Sequence, residues 1–292
     1  MRRPTSTRRW RPSSASWVDR ALAPRQVRGL NLLDPDLQVP FTAQYTGGFS
    51  YELMPNLSLQ MDYVHSRGED QLLFVDTNAD LIDNRIVRPD PRFAGTGTLR
   101  NLAWLRYNAL QTELRFRTGM SHLGLAYTFG KTRSNYTAGI FGGGPTNNAR
   151  INGEFDLSVD EGPDNSDRRH NMVLNGAHNL PFDVQLAGIW TFRSAAPFSV
   201  STRDQLDSDP FADRPEPRNS RRGDSFNTVD IRLTKTFRIG PKVRVSGFWE
   251  LFNTFNTNNF TAFQGSLQSS IFGLPADAFE KRRQQLGFRF EF

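Results

Sequence analysis

Apolar and polar residues alternate one for one along much of this chain. Tyr45, Gly47, Phe49, Tyr51 and Leu53 interleave with Gln44, Thr46, Gly48, Ser50 and Glu52. That period of two predicts an extended strand with one apolar face. Met54-Pro55-Asn56 follows as a turn, and Leu57, Leu59, Met61 and Tyr63 then alternate back. The two runs predict a hairpin. The plan recurs with Leu110 to Arg117 and Leu123 to Gly130 around the turn 118–121. It recurs again with Met172 to Gly176 and Val184 to Arg193 around Leu180-Pro181-Phe182-Asp183. Val229 to Thr234 and Val243 to Glu250 repeat it around Ile239-Gly240-Pro241-Lys242. A final run, Gln285 to Phe292, sets Leu286, Phe288, Phe290 and Phe292 on one face and Gln285, Gly287, Arg289 and Glu291 on the other.

The pattern predicts an all-β antiparallel meander of about nine strands. Its connections alternate between short and long. Short turns fall near residues 55, 119, 181 and 240. Polar stretches run from His65 to about Asn101, Arg133 to Arg169, Arg203 to Ser225 and Asn253 to about Arg283. Loops longer than about 15 residues are uncommon in compact soluble domains. A transmembrane outer-membrane β-barrel expects this asymmetry, with short periplasmic turns and long extracellular loops. It also expects one face for lipid and one for a wet lumen. Trp104, Trp190 and Trp249 lie toward the long-loop ends of their strands, where an interfacial aromatic girdle would lie. A soluble β-sandwich would also hide one apolar face per strand. It does not explain why the long loops share one end.

Composition adds little that conflicts. The 292 residues are 37% hydrophobic, with 24 phenylalanines and 23 glycines. No apolar run is long enough for a spanning helix. Cysteine is absent, which excludes disulfides and thiolate metal sites. The net charge of +6 is carried mostly by scattered arginines. Scattering argues against a nucleic-acid surface, and no nucleic-acid partner is expected. Residues 1–40 open with a basic segment rich in Arg, Ser and Pro that lacks the apolar stretch of an export signal. We treat them as a disordered or truncated N-terminal segment, and residues 41–292 as the barrel portion.

Catalytic and ligand motifs are not evident. Gly130-Lys131-Thr132 resembles the end of a phosphate-binding loop, but residue 125 is leucine where the first glycine belongs. Gly142-Gly143-Gly144-Pro145 reads as a loop tip. His65, His122, His170 and His178 lack the helical spacing of a zinc hydrolase. Asp156, Asp160, Glu161, Asp164 and Asp167 lack the glycine and terminal glutamate of a calcium loop, and read as a solvated loop. No enzymatic activity, cofactor or metal site is expected.

Several short motifs carry a resemblance. They are Tyr107-Asn108-Ala109-Leu110-Gln111, Asp167-Arg168-Arg169-His170, Ala196-Pro197-Phe198, Asp213-Arg214-Pro215, Leu251-Phe252-Asn253-Thr254-Phe255-Asn256 and Arg283-Gln284. In order and spacing, from about Phe41 to Phe292, they resemble the C-terminal part of an Oar-like TonB-dependent outer-membrane receptor. Thr257-Asn258-Asn259-Phe260 departs from that family's usual His-Pro-Asn-Phe. The resemblance implies a plugged barrel of roughly 22 strands, coupled through TonB to uptake of a ligand that the sequence does not identify. It implies outer-membrane lipid and the barrel-assembly machinery as partners. Leu286, Phe288, Phe290 and Phe292 match the terminal signal that this machinery reads. The plug, TonB-contacting segment and export signal are not evident. The expectation is therefore a C-terminal fragment, in contact with TonB only through parts it lacks.

Overall fold

The computed structural model describes residues 29–82, 85–93, 96–135, 157–202 and 215–292. Nine long strands follow one another as neighbours: β1 (Phe41–Met54), β2 (Leu57–Asp76), β3 (Thr96–Arg117), β4 (Ser121–Ser134), β5 (His170–Leu180), β6 (Val184–Arg193), β7 (Phe226–Ile239), β8 (Val243–Phe252) and β9 (Arg283–Glu291). Every pair along this path is antiparallel. The expected up-and-down meander is thus the observed fold. Among the described residues no pairing joins β9 to β1, so the sheet has two edges.

The short turns sit where the sequence places them, and each has a local cause. Asn56 takes a φ of 72° after Pro55, a conformation that asparagine tolerates. At 118–121 the Thr118 side chain accepts the Ser121 amide at 3.0 Å. Phe182 and Asp183 both have positive φ, at 66° and 55°, as a tight hairpin between β5 and β6 requires. Gly240 supplies a φ of 67° before β8, and a Cβ added there would meet open space; the left-handed backbone alone selects glycine.

The stretch from His65 to Asn101 differs from expectation. It is not a loop throughout. β2 and β3 extend to 20 and 22 residues and pair as far as Asp76 and Gly97. A two-stranded ribbon beyond the membrane needs backbone hydrogen bonds but no continuous apolar face, so alternation does not report it. Its small core is Leu73, Val75 and Ala103. Leu30–Leu33 joins this ribbon, parallel to Thr96–Leu99. Arg100 reinforces the contact through Asp34, at 2.6 Å. Met1 to Arg28, most of the basic N-terminal segment, lies outside the described residues, as does the glycine-rich tip 142–145.

Candidate functional site: a lipid face, a lumen face and a loop cap

Cross-strand partners in a sheet share a face. The register therefore tests two-sidedness directly. Tyr51 faces Leu59, Leu59 faces Leu114, Leu114 faces Leu125, and Leu125 faces Leu174. Leu174 faces Trp190, and Trp190 faces Val229. Leu233 then faces Trp249, and Trp249 faces Leu286. Most large apolar residues of the nine strands thus share one continuous surface, while Val64, Val173, Ile189 and Phe248 fall on the other. No second sheet covers that surface among the described residues. Tyr45, Phe49, Tyr51, Tyr63, Leu123, Phe129, Leu186 and Phe237 are all exposed. This overturns the sandwich alternative, which would bury them. Gly176 pairs with Gly188, and together with Leu123, Leu186, Trp190 and Ile231 they leave an apolar hollow of about 510 Å³.

The opposite face carries most of the polar residues. Arg232 pairs with Glu250 at 3.2 Å, and Glu250 also accepts a hydrogen bond from Gln285. Gln60 donates to Asp62 at 2.8 Å, and Thr236 meets Ser246 at 2.9 Å. Such a surface suits water inside a barrel.

The terminal strand is held in register by two reciprocal pairs. Phe248 lies across Gly287 on the lumen face, and Phe288 lies across Gly247 on the lipid face. A Cβ at Gly247 would approach Phe288 to 3.3 Å, and one at Gly287 would run into the Phe248 ring. Arg232 stacks over Phe248 with 4.2 Å to its centroid. Leu286, Phe288, Phe290 and Phe292 are more than two-thirds exposed, and Phe292 ends the chain on the short-turn side. Trp190 donates its indole N–H to Asn227 Oδ1 at 2.7 Å, and Trp249 donates to Gln284 Oε1 at 3.4 Å. Both lie on the lipid face near the long-loop ends of β6 and β8. Trp104 is set apart, under the Arg106 guanidinium on β3 at 5.2 Å.

The long-loop end carries a feature that alternation could not reveal. Asp160, Asp164, Asp167, Arg218 and Asn219 are all buried there. Of the acidic stretch, Asp160, Asp164 and Asp167 are thus enclosed rather than solvated, while Glu161 is exposed and Asp156 lies outside the described residues. Asp167 accepts the Thr132 amide at 2.7 Å and pairs with Arg222. Asp164 accepts the Ser134 hydroxyl at 2.8 Å and lies 3.8 Å from Arg218. Arg218 donates to the Ser134 and Asp160 carbonyls at 2.8 and 3.0 Å. Asn219 donates to the Pro163 carbonyl at 2.7 Å. Segments far apart in sequence are stitched into one cap because each buried polar group must find a partner. Burial, with Arg193 and Arg222 close by, pulls the Arg168 guanidinium below its ordinary range.

Two of the short motifs noted in the sequence, Asp167-Arg168-Arg169-His170 and Ala196-Pro197-Phe198, lie at this cap, whereas Asp213-Arg214 lies outside the described residues. Asp167 is the amide acceptor, and Pro197 pairs with Arg222. Asn253 and Asn256 turn the chain with φ of 50° and 55°. The Asn259 side chain accepts the Asn227 amide at 2.7 Å and donates to the same residue's carbonyl at 2.9 Å. Asn259 and Phe260 are retained in a segment whose first two residues depart from the family pattern.

A sequence model of the outer membrane beta barrel domain family matches residues 12–217. No curated protein matches the chain. Among solved structures, the outer membrane transporter YddB from Escherichia coli superposes with a TM-score of 0.61 at 14% identity, over 91% of this chain and 35% of that one. The ferripyoverdine receptor of the outer membrane of Pseudomonas aeruginosa gives 0.53 at 13% identity, over 87% and 27%. The FrpB iron transporter from Neisseria meningitidis gives 0.53 at 10% identity, over 90% and 33%. This chain spans about a third of the length of these structures. The chain belongs to the outer-membrane β-barrel domain family, and its sheet has the fold of one part of the wall of an outer-membrane receptor, as the likeness to TonB-dependent receptors implied.

Proposed function

We propose that the chain forms part of the wall and surface loops of a TonB-dependent outer-membrane receptor that takes up a ligand through a plugged barrel. The observation that carries this reading is the open sheet of nine strands with lipid-suited residues on one face throughout. Two free edges in lipid would leave backbone groups without partners, so further strands must complete the ring. The plug and the TonB contact belong to the remainder of such a receptor. Residues 41–292 are the wall, and Leu30–Leu33 joins it on the β2–β3 ribbon. The chain acts without catalysis of its own: its neighbours are a transporter and a receptor, and its polar face lines a passage.

We assign Leu286, Phe288, Phe290 and Phe292 as the surface that the barrel-assembly machinery grips. They are the exposed side of the last strand, running from Leu286 opposite Trp249 to Phe292 at the short-turn end. Trp190 and Trp249 are assigned to the outer interface, with Trp104 above them. The test is accessibility of single cysteines at Phe49, Leu114, Ile231 and Phe290. Lipid-soluble labels should react with all of them in outer-membrane fractions, while water-soluble labels should not. Labels that find these positions packed against protein in a water-soluble monomer would overturn the reading. For the terminal strand, Phe292→Ala should slow membrane assembly without changing the register of β9; an unchanged rate would remove that assignment.

A further inference from the structure

Three adjacent strands carry cations on the lipid side, just past the end of the apolar belt. On β2 the outward residues run Leu59, Met61, Tyr63, His65, Arg67. On β3 they run Leu114, Thr112, Leu110, Asn108, Arg106, and on β4 Leu125, Tyr127, Phe129, Lys131, Arg133. The register sets Arg67 against Arg106 and Arg106 against Arg133, with Lys131 one step below against Asn108. Alternation on β4 fixes the direction of these side chains. Gly130, Thr132 and Ser134 are buried under the cap, whereas Lys131 and Arg133 are exposed.

Four cations share this patch with Glu69, which pairs with both Arg67 and Arg106. Lys131 and Arg133 make no ion pair among the described residues. Like charges set side by side repel unless an anion lies between them. Immediately below sit amphipathic rings: Tyr45 stacks with His65 at 6.1 Å, and Tyr63 donates to Asn108 at 3.0 Å. That sequence of apolar belt, amphipathic ring and cation matches the layering of hydrocarbon, interface and phosphate.

We propose that Lys131 and Arg133, with Arg67 and Arg106, bind the phosphate of a lipid headgroup in the outer leaflet, beside β2–β4. The patch holds an annular lipid on the outside of the wall, apart from any ligand in the lumen. The inference rests on the outer-membrane placement of the sheet, but its readout is lipid retention and not uptake.

The experiment uses the receptor containing this chain, purified in neutral detergent and examined by native mass spectrometry. The probes are diphosphorylated lipid A, diacylglycerol as an acyl-chain control without phosphate, and inorganic phosphate as a free-anion control. Lipid A should be retained, diacylglycerol should not, and added salt should weaken retention. Lys131→Gln with Arg133→Gln should lower retention roughly 30-fold. Lys242→Gln, in the short turn on the other rim, should leave it unchanged. The two single variants serve where the double variant does not fold, each losing roughly five-fold. Equal retention by the wild type and these variants would overturn the proposal. Retention of inorganic phosphate as strong as that of lipid A would also overturn it, since the headgroup would then contribute nothing.

Discussion

The membrane-spanning sheet and the cap at its long-loop end are built on opposite rules. In the sheet, large apolar side chains are exposed and the polar face looks into the lumen. In the cap, the most deeply buried groups include Asp167, Ser134, Asp164 and Arg218, and large apolar residues are few. Lipid is the reason for the first arrangement: an apolar residue gains nothing by hiding from hydrocarbon, but a backbone amide must be paired. Water is the reason for the second. Loops cannot bury much apolar surface, so they are fixed by hydrogen bonds that become costly once a partner is lost. The sheet should tolerate apolar change and reject charge, whereas the cap should reject any change to its ions.

The largest effect should come from the cap. Arg218→Ala leaves the Asp164 carboxylate buried without its cation, at a cost of about 3–5 kcal/mol to the cap. Hydrogen exchange at the Thr132 and Asp164 amides should accelerate, while amides of β8 stay protected. Acceleration spread evenly over both regions would erase the distinction between them. Next comes the lipid face. Leu125→Arg, between Leu114 and Leu174, should cost about 2–4 kcal/mol in denaturant titrations of the membrane-inserted protein. Ala126→Arg, one residue on and on the lumen face, should stay within about 0.5 kcal/mol. Equal costs would mean that the two faces are not solvated differently.

Gly287→Ala should follow, at about 1–3 kcal/mol, because the new methyl meets the Phe248 ring. The companion Phe248→Leu should recover part of the loss, and failure to recover any would show that the ring does not set the register. The smallest effect is one of pH. The hydrogen bond from Arg221, with help from Ser220, holds the Glu216 carboxyl at about 2. Its folded value lies below its ordinary one. The contact is therefore complete above the ordinary carboxylate range and fades only as pH falls through that lowered value. Carbon NMR of the Glu216 carboxyl should titrate near the lowered value, and an ordinary midpoint would show that this loop is not held.

How legible each region was follows from the same contrast. Alternation of Tyr45 to Leu53, or of Leu123 to Phe129, is a local property of a chain between two solvents, and the turns at Asn56 and Gly240 are written in single residues. The strands, their order and the lipid-facing positions could all be read from residue order. The buried state of Asp164 and Asp167 could not. In sequence they look like any acidic loop, and their partners Arg218 and Arg222 lie more than fifty residues away. The extension of β2 and β3 past His65 was hidden for a related reason: backbone pairing outside the membrane imposes no side-chain period.

By itself, then, the sequence determined which face of each strand meets hydrocarbon, where the chain reverses at the periplasmic rim, and that the wall is a meander. Those follow from side-chain solvation and backbone dihedrals over a few neighbouring residues. Only the tertiary structure decided which cations become neighbours on β2–β4, which carboxylates the cap encloses, and that Phe248 and Phe288 cross Gly287 and Gly247. Those depend on register between strands, a long-range choice that brings distant residues within hydrogen-bonding reach and leaves no trace in local composition.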